Sequence, residues 1–454
     1  IAQRPSMRWL HNERRIAVTG LAGSGKTVFL LSLLQHMEHF DPHRFHLKNN
    51  ARIDAFRELD PGPGFDAFPR ARLRARLMEQ QRVSWPEKTR DIYRYRCSFG
   101  YSGLDLPSRL WNTIKTTQWL SRRVEWDVLD FPGERLSDAL IAKHEDHASW
   151  SDELLDLWDS YDRLRASMAD YLGLLSGPVP PTDVAVLDAY KKCLARMVHN
   201  KSQMITPSTF MLDRGGNGVF TAADGENNGR SRVSGLPGAE FSPLTGAFRD
   251  ANPGTAKRFA DYYAKYRAEV VKPLFDAVNT CDTLLVLIDI PGILSGGVGR
   301  CNDTNHLIET LAGNIIPSGF FTTNVDKAAF IASKSDMVHR LDQDNLRELV
   351  EDMMRIAKNR QPDVRRYEAF VASSWVSAGS VTLEDGSRAL RGIPARDSEV
   401  RVFRIPELFP DWPADWPPED PRYSYPRLSP PPLANRFMAP EQRNLDRIFD
   451  FIIS

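Results

Sequence analysis

Eight residues, Gly20-Leu21-Ala22-Gly23-Ser24-Gly25-Lys26-Thr27, stand between an apolar run at 15–19 and a run of helical periodicity at 28–34. A strand, a glycine-rich turn and a helix in that order belong to a parallel sheet layered with helices. The spacing Gly-x-x-x-x-Gly-Lys-Thr is that of a phosphate-binding loop. Its glycines admit backbone angles closed to residues with a Cβ, so the N–H groups of Gly23, Gly25, Lys26 and Thr27 converge on one anion. The positive end of the following helix adds to that field. Lys26 is placed to reach the β- and γ-phosphates, and the Thr27 hydroxyl to ligate a bridging Mg²⁺. The expected ligand is a nucleoside triphosphate with Mg²⁺, held by Gly20, Ala22, Gly23, Ser24, Gly25, Lys26, Thr27 and Val28.

Downstream, residues 40–85 mix Pro, Gly and Arg in irregular order around one expected helix at 70–81. Residues 91–99 alternate apolar and polar as a half-exposed strand does, residues 108–120 read as a segment crossing back, and 124–130 form another strand. Residues 136–277 are mostly helical in periodicity, with helices expected at 150–175, 182–199 and 255–278. Between them, 213–254 is rich in Gly, Asn, Ser and Pro and reads as a long loop. Three apolar runs, 283–289, 328–332 and 367–372, have the composition of buried parallel strands. From residue 377 the chain is dense in Pro and Trp and closes on an amphipathic helix near 440–453. That tail reads as an extended strap packed on the sheet domain, with a proline-rich ligand for a partner as the alternative. The expected class is α/β: a P-loop domain over 1–135 and 279–376, a large helical insertion over 136–278, and the strap over 377–454.

Asp130-Phe131-Pro132-Gly133 follows a strand with the spacing Asp-x-x-Gly. In nucleotide switches such an Asp stands behind the Mg²⁺, and the Gly N–H meets the γ-phosphate. The metal site is therefore expected to comprise Thr27, Asp130 and a further hydroxyl, for which Thr89, just before the 91–99 strand, is the candidate. A guanine base is distinguished by a carboxylate that accepts from its N1 and N2 while a lysine stem lies over the ring. Ser333-Lys334-Ser335-Asp336 ends a buried strand and offers both groups in Lys334 and Asp336. Ser373 and Ser374, ending the last strand, stand where a backbone N–H would meet guanine O6.

Lys plus Arg and Asp plus Glu both total 59, so the formal net charge is zero and nothing asks for nucleic acid as a partner. Six arginines at 70–90 and six acids at 145–159 read as solvated helix faces. Four cysteines far apart show neither metal spacing nor a disulfide framework, which fits a reducing compartment. No window of about eighteen apolar residues exists, and Ile1 opens without a signal pattern. The expectation is a cytoplasmic chain, with membrane contact at most peripheral, and with some residues preceding Ile1.

Taken together, these residues resemble a Ras-like GTPase domain and, more narrowly, the YcjX-like family of bacterial stress-associated P-loop proteins. The marks are the loop led by Ala17-Val18-Thr19, Ser84-Trp85-Pro86 with Thr89, Asp130-Phe131-Pro132-Gly133-Glu134, and Ser333-Lys334-Ser335-Asp336. Ile205-Thr206-Pro207, Val271-Lys272-Pro273 and Leu390-Arg391-Gly392-Ile393-Pro394 extend the likeness over almost the whole chain. The resemblance implies GTP and GDP binding, slow hydrolysis, a stress-response role, and a protein partner or activator engaged through the helical insertion. It adds Trp85 to the nucleotide-binding residues. Where a Ras-type switch has a water-orienting Gln this chain has Glu134, and where the family usually has Trp it has Arg135. A carboxylate beside the γ-phosphate meets like charge, so Glu134 is expected to position water weakly, with Arg90 or Arg135 supplying the transition-state cation beside Lys26. An adenine-specific NTPase, and a nucleotide-dependent binding module with incidental hydrolysis, are the competing readings.

Overall fold

A computed structural model describes residues 13–21, 23–78, 85, 92–102, 122–200, 202, 204–212, 233–315, 325–360, 362, 364–395, 397, 399–413, 421–433, 435 and 437–454. Among the described residues eight strands form the main sheet: β1 (Glu13–Gly20), β2 (Ile53–Leu59), β3 (Asp66–Ala67), β4 (Tyr93–Tyr101), β5 (Arg122–Asp130), β6 (Thr283–Ile288), β7 (Lys327–Ala332) and β8 (Arg366–Val371). Their order is β2-β4-β5-β1-β6-β7-β8, with the short β3 beside β4. From β5 through β1, β6 and β7 to β8 every pair is parallel, whereas β4 runs antiparallel to both β5 and β2. The protein is thus α/β with a mixed, mostly parallel sheet.

Alternation along the central strands divides the core in two, because successive side chains point to opposite faces. Ala17, Leu284, Val286, Ala328 and Phe330 pack on the side that carries the helices between β5 and β6 and the helix Gln343–Arg360. Ile16, Val18, Leu285, Leu287, Ala329 and Ile331 face the helix Lys26–Glu38 and the C-terminal helix Leu445–Ile453. Phe449 of that last helix touches Phe45, Phe99, Tyr101 and Trp126, so the end of the chain is part of the core.

Several expected elements are redrawn. Residues 40–85 hold an edge strand, β2, besides the helix Arg70–Met78. Arg70 is no solvated face: it is 7% exposed and paired with Glu38 and Glu58. The helix expected at 150–175 is two, His147–Asp159 and Asp162–Leu175, broken at Ser160 and Tyr161. The one expected at 255–278 is Pro253–Tyr266 and Lys272–Val278 joined by a π-helical turn, Arg267–Val271. A short helix, Gly246–Ala251, stands inside the expected long loop. The tail contains a second, antiparallel sheet of β9 (Ala378–Thr382), β10 (Arg388–Gly392) and β11 (Arg401–Arg404). The segment expected at 108–120 lies outside the described residues. Among the described residues no helix is long and apolar enough to cross a membrane. All four cysteines are free and buried.

Candidate functional site

The glycine-rich turn leaves the buried end of β1 and enters the helix Lys26–Glu38 through Gly25, whose φ of 85° lies in the left-handed region. Lys26 is 7% exposed and its Nζ donates to the Gly20 carbonyl at 2.8 Å, so the side chain folds back over its own loop. At the end of the neighbouring parallel strand β5, Asp130 is 1% exposed. Among the described residues neither of its carboxylate oxygens has a hydrogen-bond partner. Burial pushes its pKa up to about 6, against the pull of the Lys26 ammonium. A buried carboxylate left without donors beside a phosphate loop is fit to face a cation.

Behind Asp130 the chain turns through Gly133, where a Cβ would lie 1.9 Å from the Gly20 carbonyl oxygen and 2.9 Å from Leu21 Cα. Only a glycine lets the two loops touch backbone to backbone. A 3-10 turn, Gly133–Asp138, follows. Its far end is fixed: Asp138, 1% exposed, accepts from Thr206 Oγ1 at 3.1 Å, Ser208 N at 2.7 Å, Ser208 Oγ and Tyr266 Oη at 2.7 Å. Burial raises the Asp138 pKa, while the Arg135 charge and these donors oppose the shift. Arg135 itself donates to Ser208 Oγ at 3.3 Å. It therefore points into the helical region and does not line the cavity described next.

A cavity of about 470 Å³ opens over the phosphate loop. Gly23, Ser24, Gly25, Lys26, Thr27 and Val28 line one part of it, with Glu134 and Trp85. Ser333, Lys334, Asp336, Ser373 and Ser374 line the other. Gly20, Gly133 and Asp130 lie outside this lining, whereas Ala22, Thr89 and Arg90 fall outside the described residues.

At the β7 end, Ser333 Oγ donates to the Ile288 carbonyl at 3.2 Å, joining the β7 and β6 ends. Lys334 takes a left-handed backbone, φ 56°, and its Nζ pairs with Asp289 at 2.6 Å. Its Cε lies 4.0 Å from where a Gly25 Cβ would stand, so the stem bridges the β7 end and the phosphate loop. Asp336 is 2% exposed and held by Ser373 Oγ at 2.6 Å, Ser377 N at 2.8 Å and Ser377 Oγ at 2.8 Å. Two positions are refined here. The Ser373 N–H is spent on the Arg443 carbonyl at 3.1 Å, which makes Ser373 a support for Asp336 and leaves Ser374 as the candidate for the backbone donor.

Sequence reasoning missed Asp289, Met337, Ser377, Ala395, Arg427 and Leu428. Asp289 had the signal of an acid closing a buried strand, and its side chain also accepts from Gly292 N at 3.0 Å. The tail residues had none, because their place depends on an isolated bridge between Pro394 and Leu428. Trp85 Nε1 donates to the Leu428 carbonyl at 2.7 Å, and its ring meets Trp375 edge to face at 6.5 Å. A larger cleft, about 1240 Å³, lies between residues 43–48 and 438–450. Its walls set Arg44, Lys48 and Arg447 against Glu368, Asp446 and Asp450, with no part of the phosphate loop.

A mostly parallel α/β sheet with a glycine-rich Gly-x-x-x-x-Gly-Lys-Thr loop after β1, an Asp-x-x-Gly turn after β5 and a Lys-x-Asp turn after β7 is compatible with the P-loop NTPase fold class. The chain belongs to the YcjX-like family, DUF463, whose match spans residues 14–454. Among its relatives is the Ras-like GTPase YcjX of Escherichia coli (strain K12), 23% identical over 368 residues, which cover 73% of this chain and 71% of that protein.

Proposed function

We propose that the chain binds guanine nucleotide with Mg²⁺ and hydrolyses GTP slowly, acting as a nucleotide-dependent switch. The observation that carries this reading is one cavity with a phosphate loop in one wall and the Lys334–Asp336 pair in the other. The name of the E. coli relative supports it. In this reading the loop N–H groups and Lys26 orient the phosphates, and Lys26 exchanges its Gly20 contact for phosphate oxygens. Thr27, Thr89 and Asp130 are the residues that would hold Mg²⁺, and the unpartnered Asp130 oxygens supply the negative charge it needs. When bound, the metal would neutralise charge developing on the transferred phosphoryl group.

Asp336 accepts from guanine N1 and N2 with its remaining lone pairs, since its present donors enforce the orientation of the carboxylate. Ser374 supplies the donor to O6. Glu134 borders the cavity where the attacking water would stand, and its charge beside the γ-phosphate is the reason to expect slow turnover. Arg135 already serves Ser208, so its use as a transition-state cation requires the turn to rearrange. Arg90 remains the other candidate.

A second reading, a binding module with incidental hydrolysis, is favoured by the Asp138 contacts, which tie the 133–138 turn to the helical stretch. We read residues 136–278 as an insertion that presents a nucleotide-dependent surface to a protein partner, and residues 377–454 as a strap on the nucleotide domain. Equilibrium titration of the full chain with labelled GTP, with and without Mg²⁺ and with unlabelled ATP as competitor, tests the base assignment. Tighter binding of ATP would overturn it.

A further inference from the structure

Among the described residues, three cations line the 470 Å³ cavity, and they differ in what engages them. Lys26 donates to the Gly20 carbonyl, and Lys334 is paired with Asp289. Arg427 has no carboxylate partner among the described residues. An unpaired surface arginine is ordinarily a solvated one, free to swing. Here the backbone on both sides is fixed. Ala395 N–H donates to the Arg427 carbonyl at 2.7 Å, and Ser429 N–H donates to the Ile393 carbonyl at 2.8 Å. Pro426 restricts the preceding backbone. Leu428 is buried in a small core with Ala378, Leu390 and Ile405, against which Met337 and Tyr425 pack.

Met337 follows Asp336 directly and Ala378 follows Ser377, the residue whose N–H and hydroxyl hold Asp336. The segment carrying Arg427 is thereby anchored to the base end of the cavity. It stands outside the sheet domain in sequence, 91 residues beyond Asp336 by their numbers, 427 and 336.

We infer that Arg427 is a nucleotide-binding residue contributed by the C-terminal tail, and that its guanidinium closes the base and ribose end of the site over a bound guanine nucleotide. This rests on the guanine-nucleotide reading above. A guanidinium suits that place: it is planar, weakly hydrated, stacks on ring faces and donates in the plane to ribose or base oxygens. It also loses little by leaving water for a ligand, because no carboxylate has to be given up. The phosphate end is already served by Lys26 and the loop N–H groups, so the contribution of Arg427 is common to GDP and GTP.

The test is the dissociation constant and release rate of fluorescent GDP and GTP analogues for the full chain, unsubstituted and as Arg427→Gln and Arg427→Lys. Loss of one charge-assisted contact is expected to weaken both nucleotides about tenfold in Arg427→Gln, mostly through faster release. Arg427→Lys, which keeps charge without the planar fork, should recover part of it. The thermal midpoint of the nucleotide-free chain should not move, since the side chain is exposed. Affinities within twofold of the unsubstituted chain would overturn the inference, as would a loss confined to GTP. Failure of the guanine reading would look different: the unsubstituted chain itself would then not prefer guanine over adenine nucleotide.

Discussion

Gly133→Ala is the substitution on which the geometry of the two phosphate-side loops bears most sharply. The added Cβ would stand 1.9 Å from Gly20 O, 2.8 Å from Gly20 C and 2.9 Å from Leu21 Cα. An ordinary contact is about 3.4 Å or more, so the loops must part by about 1–1.5 Å. Everything the methyl group meets is backbone, which cannot rotate aside as a side chain would. Nor can Gly20 retreat freely, because its own Cβ position is 2.2 Å from the Leu287 carbonyl oxygen. Overpacking of this kind costs about 1–3 kcal/mol. Chemical denaturation should show the unfolding free energy lowered by that amount, read as a lower midpoint at unchanged slope, and the ratio of triphosphate to diphosphate affinity should fall, because the turn no longer seats against the loop. Gly173→Ala is the control: its Cβ meets nothing within 4 Å and the site lies within the helix Asp162–Leu175, so it should gain about 0.5–1 kcal/mol. If Gly133→Ala unfolds at the denaturant concentration of the unsubstituted chain and keeps its nucleotide preference, the close approach of the two loops is wrong.

Two further outcomes follow from buried groups. Asp138→Ala leaves the donors of Thr206, Ser208 and Tyr266 without their acceptor, and should lower the unfolding free energy by about 3 kcal/mol in denaturant titration. A change under about 0.5 kcal/mol would contradict the described network. His147, whose Nε2 donates to the Ser242 carbonyl at 2.8 Å among Trp150, Phe241 and Tyr263, has its pKa lowered by burial to about 4 from 6.5. The unfolded chain therefore binds the extra proton first. The contribution is complete above about pH 6.5 and is lost as pH falls toward 4, by about 3 kcal/mol. Stability of His147→Gln measured from pH 7 to pH 4 should fall less steeply than that of the unsubstituted chain, and an unchanged slope would remove His147 as a cause.

How far the sequence foretells the fold depends on how locally each element is determined. β1, β6 and β7 are legible because strands buried on both faces in a parallel sheet read as unbroken apolar runs. β2 is hidden because it lies at the sheet edge, where Asp54, Ala55, Arg57 and Glu58 are exposed and the register slips by a bulge. The break at Ser160 is invisible to periodicity, since Trp158 and Leu164 keep an apolar face on either side of it. Glycines and charges of the phosphate loop carry their own spacing, and so do Asp130, Gly133, Lys334 and Asp336. Arg427 carries none. Its place is set by Pro394 pairing with Leu428 and by Leu428 packing on Gly392, where a Cβ would lie 2.7 Å from Leu428 Cδ1. Asp289 does carry a signal, as an acid closing a buried strand, but its partner Lys334 is brought to it only by the pairing of β6 with β7.

The central claim is that Asp336 reads guanine, and exchanging the carboxylate for an amide tests it most directly. Asn at this position offers a donor where guanine N1–H and N2–H need acceptors, while xanthine, with an oxygen at C2, accepts from that donor. The measurement is the affinity of the unsubstituted chain and of Asp336→Asn for labelled GTP and for xanthosine triphosphate under one set of conditions. The expected result is a preference for GTP in the former and for xanthosine triphosphate, by about tenfold or more, in the latter. An Asp336→Asn chain that stays folded and keeps the original order of affinities would show that the base is read elsewhere.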